Sequence, residues 1–223
     1  MSYRRLGVPA LDRLLGMGVY YGAAGAEARA MAGERVVVGG AGNSAGQAAL
    51  HLAHFASRVT LLVRGTSLAA SMSDYLIREI ELADRIEVRL QARVVDGAGA
   101  DRLEAVVVED VPTGRREPLA AAAAFVLIGA QPLTEWLRDE LQRDASGFVV
   151  TGPDVSLDRW PLERRPMLLE SSVPGVFAVG DVRHGSVKRV AAAVGEGSVA
   201  IGSVHHCLAD LAARTAQPQG AAP

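Results

Sequence analysis

The stretch ERVVVGGAGNSAGQAALHLA, residues 34–53, limits what this chain can fold into more than any other. Residues 35–39 are apolar without alternation, the pattern of a strand buried on both faces. A glycine turn follows, and then a small-residue segment, 43–56, with Ala45, Ala48, Ala49, Leu52 and Phe55 at helical spacing. RVTLLVRG, 58–65, is a second buried strand. Strand, helix and strand at this separation form a βαβ unit with a right-handed crossover, which demands a parallel sheet.

Downstream, residues 71–84 predict a second helix with Met72, Tyr75, Leu76, Ile80 and Leu82 inward. The period then shifts to strands over 86–97 and 102–111, with a turn at PTGRRE and another buried strand within 123–132. The fold class is α/β: a Rossmann-like βαβ domain with an antiparallel flap, closing near residue 129. Beyond it, GFVVTG (147–152) and VPGVFAVGD (173–181) read as short strands, and 186–216 as one long helix. Gly195 and Gly197 within that helix each cost about 1 kcal/mol relative to alanine, which predicts close backbone approach there. The last residues, 217–223, are expected to fray.

Composition narrows the function classes. A net charge of −2 offers no basic surface for nucleic acid or an anionic membrane. Cys207 is the single cysteine, so the chain holds no dithiol of its own. The uncharged apolar run 118–134 carries prolines and falls short of a membrane span. Asp12 and Arg13 interrupt the start as a signal peptide, which leaves the cytoplasm as the default location. His205 and His206 are adjacent on a helix, about 100° apart, and make no metal site with His184. Trp136 and Trp160 are read as packing residues, and Cys207 as a thiol packed among Val204, Leu208 and Leu211.

The chemistry begins at the turn. Gly40, Gly42 and Ala45 fit G-x-G-x-x-[GA] between a strand and a helix. Gly40 permits the tight turn, Gly42 lets a pyrophosphate approach the backbone, and Ala45 lets helix and strand pack closely. The free N–H groups and positive dipole end of the helix then face the phosphates. At the end of the second strand stands Arg64, 24 positions after Gly40, and no acid lies between Leu61 and Leu68. An acid there would take the ribose hydroxyls of NADH, whereas an arginine suits a 2′-phosphate, so NADPH is favoured. A short-chain dehydrogenase is excluded, because its Tyr-x-x-x-Lys pair is absent: Tyr75 is followed by Glu79.

These residues, together with SVPGVFAVGDVRHGSVKRVAAAVGEGSVAI, resemble the bacterial thioredoxin-reductase-like flavoproteins, which are low-molecular-weight pyridine nucleotide–disulfide oxidoreductases. The resemblance implies an NADPH domain inserted into a discontinuous FAD domain, with hydride passing from NADPH to flavin. It implies that Gly40, Gly42, Asn43, Ser44 and Ala45 form the NADPH pyrophosphate loop, with Arg64 near the 2′-phosphate. Gly129 in IGAQP would lie beside the nicotinamide nucleotide. Gly180 would pass close to FAD, Asp181 would accept from its ribityl chain, and the amides of Val190 and Ala191 would face the flavin C2 carbonyl. His184, Lys188 and Arg189 would lie near the flavin edge. The implied organisation is a linker over 1–20, an NAD(P)H-binding domain over 21–129 and the C-terminal portion of an FAD domain over 130–216. A homodimer is implied as well.

Two departures matter. The family's thioredoxin reductases carry C-x-x-C before the NADPH strand, and YYGAAGAEA here has Gly22 and Gly25 at those positions. A glycine makes no thiolate, so disulfide reduction by that route is excluded. The family also opens with an FAD fingerprint of its own, and this chain carries only one fingerprint, so its FAD site is expected to be incomplete. An apolar face is then expected where the missing half would pack. The leading expectation is therefore an NADPH- and FAD-dependent oxidoreductase whose electron acceptor is a quinone, oxygen, a ferredoxin-like protein or a partner's disulfide. The alternative is a non-catalytic NADP-binding module, or a fragment unable to hold FAD.

Overall fold

Continuous apolar runs become the central strands of a parallel sheet. In this computed structural model, which describes residues 2–22, 25 and 27–216, the strands are β1 (Val19–Tyr21), β2 (Arg35–Gly39), β3 (Arg58–Val63), β4 (Ile86–Leu90) and β8 (Ala123–Val126). They lie in the order β1-β8-β2-β3-β4, all parallel, with Val38 paired to Phe125 on one side and to Leu61 on the other. The chain divides into two compact units, Tyr3–Gly129 and the residues from Ala130 onward together with Ser2.

The sheet of the first unit is buried on both faces, as the unbroken apolar pattern requires. Val36, Val38, Val59, Leu61 and Val63 pack under α2 (Asn43–Ala53) and α3 (Asp74–Glu81). Val37 and Leu62 face the other way, against Leu103, Val106, Val108 and the short α1 (Pro9–Asp12). The expected flap is present as β5 (Ala92–Ala98), β6 (Ala105–Asp110) and β7 (Arg116–Ala120), antiparallel in that order. Buried Glu109 on β6 is held by Arg93 at 2.8 Å and Arg116 at 2.9 Å.

Several expectations need correction. The strand expected over 86–97 is two strands, because Gln91 adopts φ +51° and turns the chain from one sheet to the other. The tail of the expected PTGRRE turn is β7, an edge strand in which Pro118 is tolerated. The helix after Arg64 runs only over Asp74–Glu81, with Leu76 and Ile80 inward, and Met72 packs beside them from the loop before it. Tyr75 and Leu82 are 54% and 83% exposed instead. They stand about 100° and 200° around the axis from Leu76 and Ile80 respectively.

The second unit has little regular structure before its long helix, α4 (Val190–Ala216). The segments expected as strands at 147–152 and 173–181 make isolated bridges only, Arg143 to Val149, Val149 to Arg183 and Glu170 to Phe177. Side chains do the holding. Glu170 is fully buried and accepts from both guanidinium nitrogens of Arg164 (2.6 and 2.8 Å) and from the amides of Met167 and Gly175. Trp160 stacks beneath that guanidinium, 5.6 Å from ring centre to carbon. Trp136, expected to pack, is 78% exposed.

Helix α4 begins later than expected and leaves much of its apolar surface bare: Val190, Val194, Ile201 and Leu208 are each more than half exposed. Nothing described comes within 4 Å of a Cβ placed on Gly195 or Gly197, so the expected close approach is not made among the described residues. Cys207 is half-buried beside Gly175, while Val204, Leu208 and Leu211 around it are exposed. The thiol is therefore not packed as expected. The tail at 217–223 lies outside the described residues.

Candidate functional site

The glycine turn joins β2 to α2, and its two glycines face different surroundings. Gly40 has φ +150°, and a Cβ there would fall 2.5 Å from the Leu127 carbonyl oxygen and 2.9 Å from the Ala45 Cβ. The turn is thus wedged between β8 and the first turn of α2. Gly42, the N-cap of α2, has φ −88°, and a Cβ there would meet only the Ser71 carbonyl oxygen, at 3.9 Å. The space above Gly42 is open. Ala45 is fully buried against the sheet.

The Ala45 and Gly46 amides already donate to the Gly42 carbonyl, at 3.0 and 3.2 Å, which leaves the Asn43 and Ser44 amides at the start of α2 with no carbonyl to accept from them among the described residues. Gly42 supplies no capping side chain, so these N–H groups and the positive dipole end remain available to an anion. Ser44 is exposed and its hydroxyl makes no hydrogen bond among the described residues. Arg64 directly follows β3, exposed, with no hydrogen-bond or ion-pair partner among the described residues. Gly129 has φ +98° with open space where a Cβ would stand, and its carbonyl accepts from the Arg4 amide at 3.0 Å. These positions fit a dinucleotide: a backbone cradle no side chain fills, donors at a helix start and an uncommitted cation.

Asn43 is different. Its Nδ2 donates to Ser73 Oγ at 3.0 Å, and its Oδ1 accepts from the Ser73 amide at 2.8 Å. Its side chain is therefore committed to the loop before α3.

In the second unit, Gly180 and Asp181 lie on a short 3-10 turn, Gly180–Val182, pressed onto α4. Gly180 has φ +68°, and a Cβ there would come within 3.0 Å of the Ala193 Cβ. Glu196 clamps the turn by accepting from the Gly180 amide at 2.6 Å and from Arg183 at 3.1 Å. Those Arg183 bonds hold the Glu196 carboxyl below its ordinary range against the opposing effect of burial, with the Gly180 amide adding to them. Asp181 is half-buried and makes no hydrogen bond among the described residues, while Val190 and Ala191 are exposed at the start of α4. His184 Nδ1 lies 2.8 Å from Asp144 Oδ2. Lys188 donates to the Arg183 carbonyl at 3.0 Å and stands 4.3 Å above the Phe148 ring.

A model of the pyridine nucleotide-disulphide oxidoreductase family matches residues 2–197. The chain belongs to this family. Among the family's curated members, it is 36% identical over 169 residues to a thioredoxin reductase of Neurospora crassa, covering 74% of this chain and 45% of that protein. It is 30% identical over 201 residues to the thioredoxin reductase of Treponema pallidum, covering 89% of this chain and 59% of the other. The crystal structure of thioredoxin reductase from T. acidophilum superposes with a TM-score of 0.75 at 26% identity, over 92% of this chain and 62% of that one. The chain spans about half the length of the curated relatives it matches.

The residues that sequence reading missed are those that shape the two turns: Ser71 and Ser73 beside the glycine turn, and Glu196 beside Gly180. Their only signal was a run of small polar residues after Arg64 and an acid within an otherwise apolar helix.

Proposed function

We propose that this chain binds a nicotinamide dinucleotide, NADPH in preference to NADH, at the turn between β2 and α2, and serves an FAD-dependent oxidoreductase of thioredoxin-reductase type. The observation that carries this reading is the pairing of a blocked Gly40 with an open Gly42 at the head of an uncapped helix. Gly42 and the α2 amides would bind the pyrophosphate, the Ser44 hydroxyl would add a donor, and Arg64 would take the 2′-phosphate. Residues 21–129 then form the dinucleotide domain, and 130–216 form the C-terminal portion of the FAD domain. The bound cofactors supply hydride donation at the nicotinamide and hydride acceptance at the flavin. The chain's own part is orientation: Asp181 would hold the ribityl chain, and the Val190 and Ala191 amides at the α4 start would favour negative charge beside them.

The electron acceptor is not a dithiol of this chain, since Cys207 is its single cysteine. Gly22, where the family's first cysteine would stand, has φ +103°, a backbone angle that a side-chain-bearing residue seldom adopts. The acceptor classes that remain are a quinone, oxygen, a ferredoxin-like protein or a partner's disulfide. An absorbance spectrum of the purified chain, with and without added FAD, tests the redox reading. A flavin band that NADPH bleaches is expected. A chain that binds NADPH yet takes up no FAD supports the non-catalytic NADP-binding reading instead.

A further inference from the structure

The loop that leaves β3 at Arg64 and enters α3 is stapled to the glycine turn at three points. Ser71 Oγ donates to the Ala41 carbonyl at 2.9 Å. Asn43 and Ser73 exchange two hydrogen bonds, at 3.0 and 2.8 Å. Met72 lies so close to α2 that a Cβ on Gly46 would meet its sulfur at 2.9 Å. Ser73 is the N-cap of α3, a position where a serine oxygen usually accepts from its own helix. Here that oxygen makes no such bond and accepts from Asn43 instead. The serine is diverted from local capping to a tertiary tie, across 30 residues of sequence.

We infer that Asn43 is a positioning residue that acts on the dinucleotide through Ser73. The inference rests on the dinucleotide-binding reading and deepens it. The pyrophosphate lies at Gly42, whereas the adenosine ribose and its 2′-phosphate lie beside the segment that follows Arg64. The Asn43–Ser73 clip fixes these two parts of the site relative to one another before the ligand arrives, so little ordering remains to be done on binding. With Nδ2 donating to Ser73 Oγ and Oδ1 accepting from the Ser73 amide, the orientation of the Asn43 side chain is set by Ser73, and one Nδ2 hydrogen is all it has left to donate. Ser44, one residue on, is the side chain left to touch it.

The test is a double-mutant cycle on the full chain, read as NADP+ affinity by titration calorimetry. N43A and S73A are each expected to weaken binding about tenfold, or about 1.4 kcal/mol, and the double variant is expected to lose no more than either single. S73T keeps both the oxygen and the amide and is expected to bind within twofold of the parent. S44A combined with S73A is expected to lose the sum of its parts. An S73A variant that binds as the parent does, or N43A and S73A losses that add, would overturn the inference and place Asn43 on the nucleotide itself. If the parent chain binds neither NADP+ nor NAD+, the dinucleotide reading fails. The clip is then judged by hydrogen exchange of the Ser73 amide: N43A should accelerate it, and unchanged exchange would refute the clip.

Discussion

Gly40 stands with the Leu127 carbonyl oxygen 2.5 Å from where a Cβ would be, at a backbone angle that side chains seldom adopt. Both partners of that contact are backbone, so no rotamer change relieves it. G40A is expected to destabilise the chain by about 2 kcal/mol or more, measured as a lower melting temperature, and to disturb the turn even in the folded fraction. Arg64 makes the opposite kind of prediction. Exposed and without a partner among the described residues, it contributes little to stability. R64A should leave the melting temperature unchanged and weaken NADP+ about tenfold while sparing NAD+, because only the former carries the 2′-phosphate. Equal losses for both dinucleotides would remove Arg64 from specificity.

At the scale of elements, the first unit was legible because its strands are buried on both faces and its helix follows a turn with a mechanism. The same reasoning misread the second unit. Residues 147–152 and 173–181 carry apolar runs of strand length, yet they form bridges rather than strands, since their amides are satisfied by Asp144, Glu170 and Glu196 side chains and by short turns. An apolar count does not see a carboxylate that substitutes for a neighbouring strand. Gln91 was hidden for a related reason: no glycine or proline marks the φ +51° break between β4 and β5. The bonds between Asn43 and Ser73 were not legible either, because a motif places Asn43 by its position in a pattern and not by where its amide turns.

Glu170 shows what those carboxylates do. Burial alone would raise its pKa, but Arg164 and the Gly175 and Met167 amides outweigh this and hold it below the ordinary carboxylate value. A lowered folded pKa contributes stability that is fully present above the unfolded value of about 4.3 and is lost as pH falls below it. E170Q should therefore cost about 3 kcal/mol at neutral pH by leaving Arg164 unpaired, and should flatten the acid side of the stability profile between about pH 5 and pH 3. A parallel pair of denaturation curves at all pH values would show that Glu170 carries no such linkage.

At the scale of the whole molecule, the two units carry different features. The first carries the glycine turn on a sheet packed on both faces. The second carries the Gly180–Asp181 turn and an α4 start whose Val190 and Val194 are 84% and 68% exposed. No dithiol joins the scheme, so the purified chain with FAD and NADPH should not by itself reduce the disulfide of a thioredoxin-like protein. Turnover of that substrate without any added thiol would contradict the assignment.

Gly42 isolates the proposal that the turn after β2 holds a nicotinamide dinucleotide. An alanine there has an ordinary backbone angle and space for its Cβ in the free protein, yet that Cβ enters the volume offered to the pyrophosphate. Calorimetric titration of the chain and of G42A with NADPH is the direct measurement. Saturable binding by the parent, at least a tenfold loss in G42A, and equal melting temperatures for the two are expected. No binding by the parent, or binding that G42A leaves intact, would contradict it.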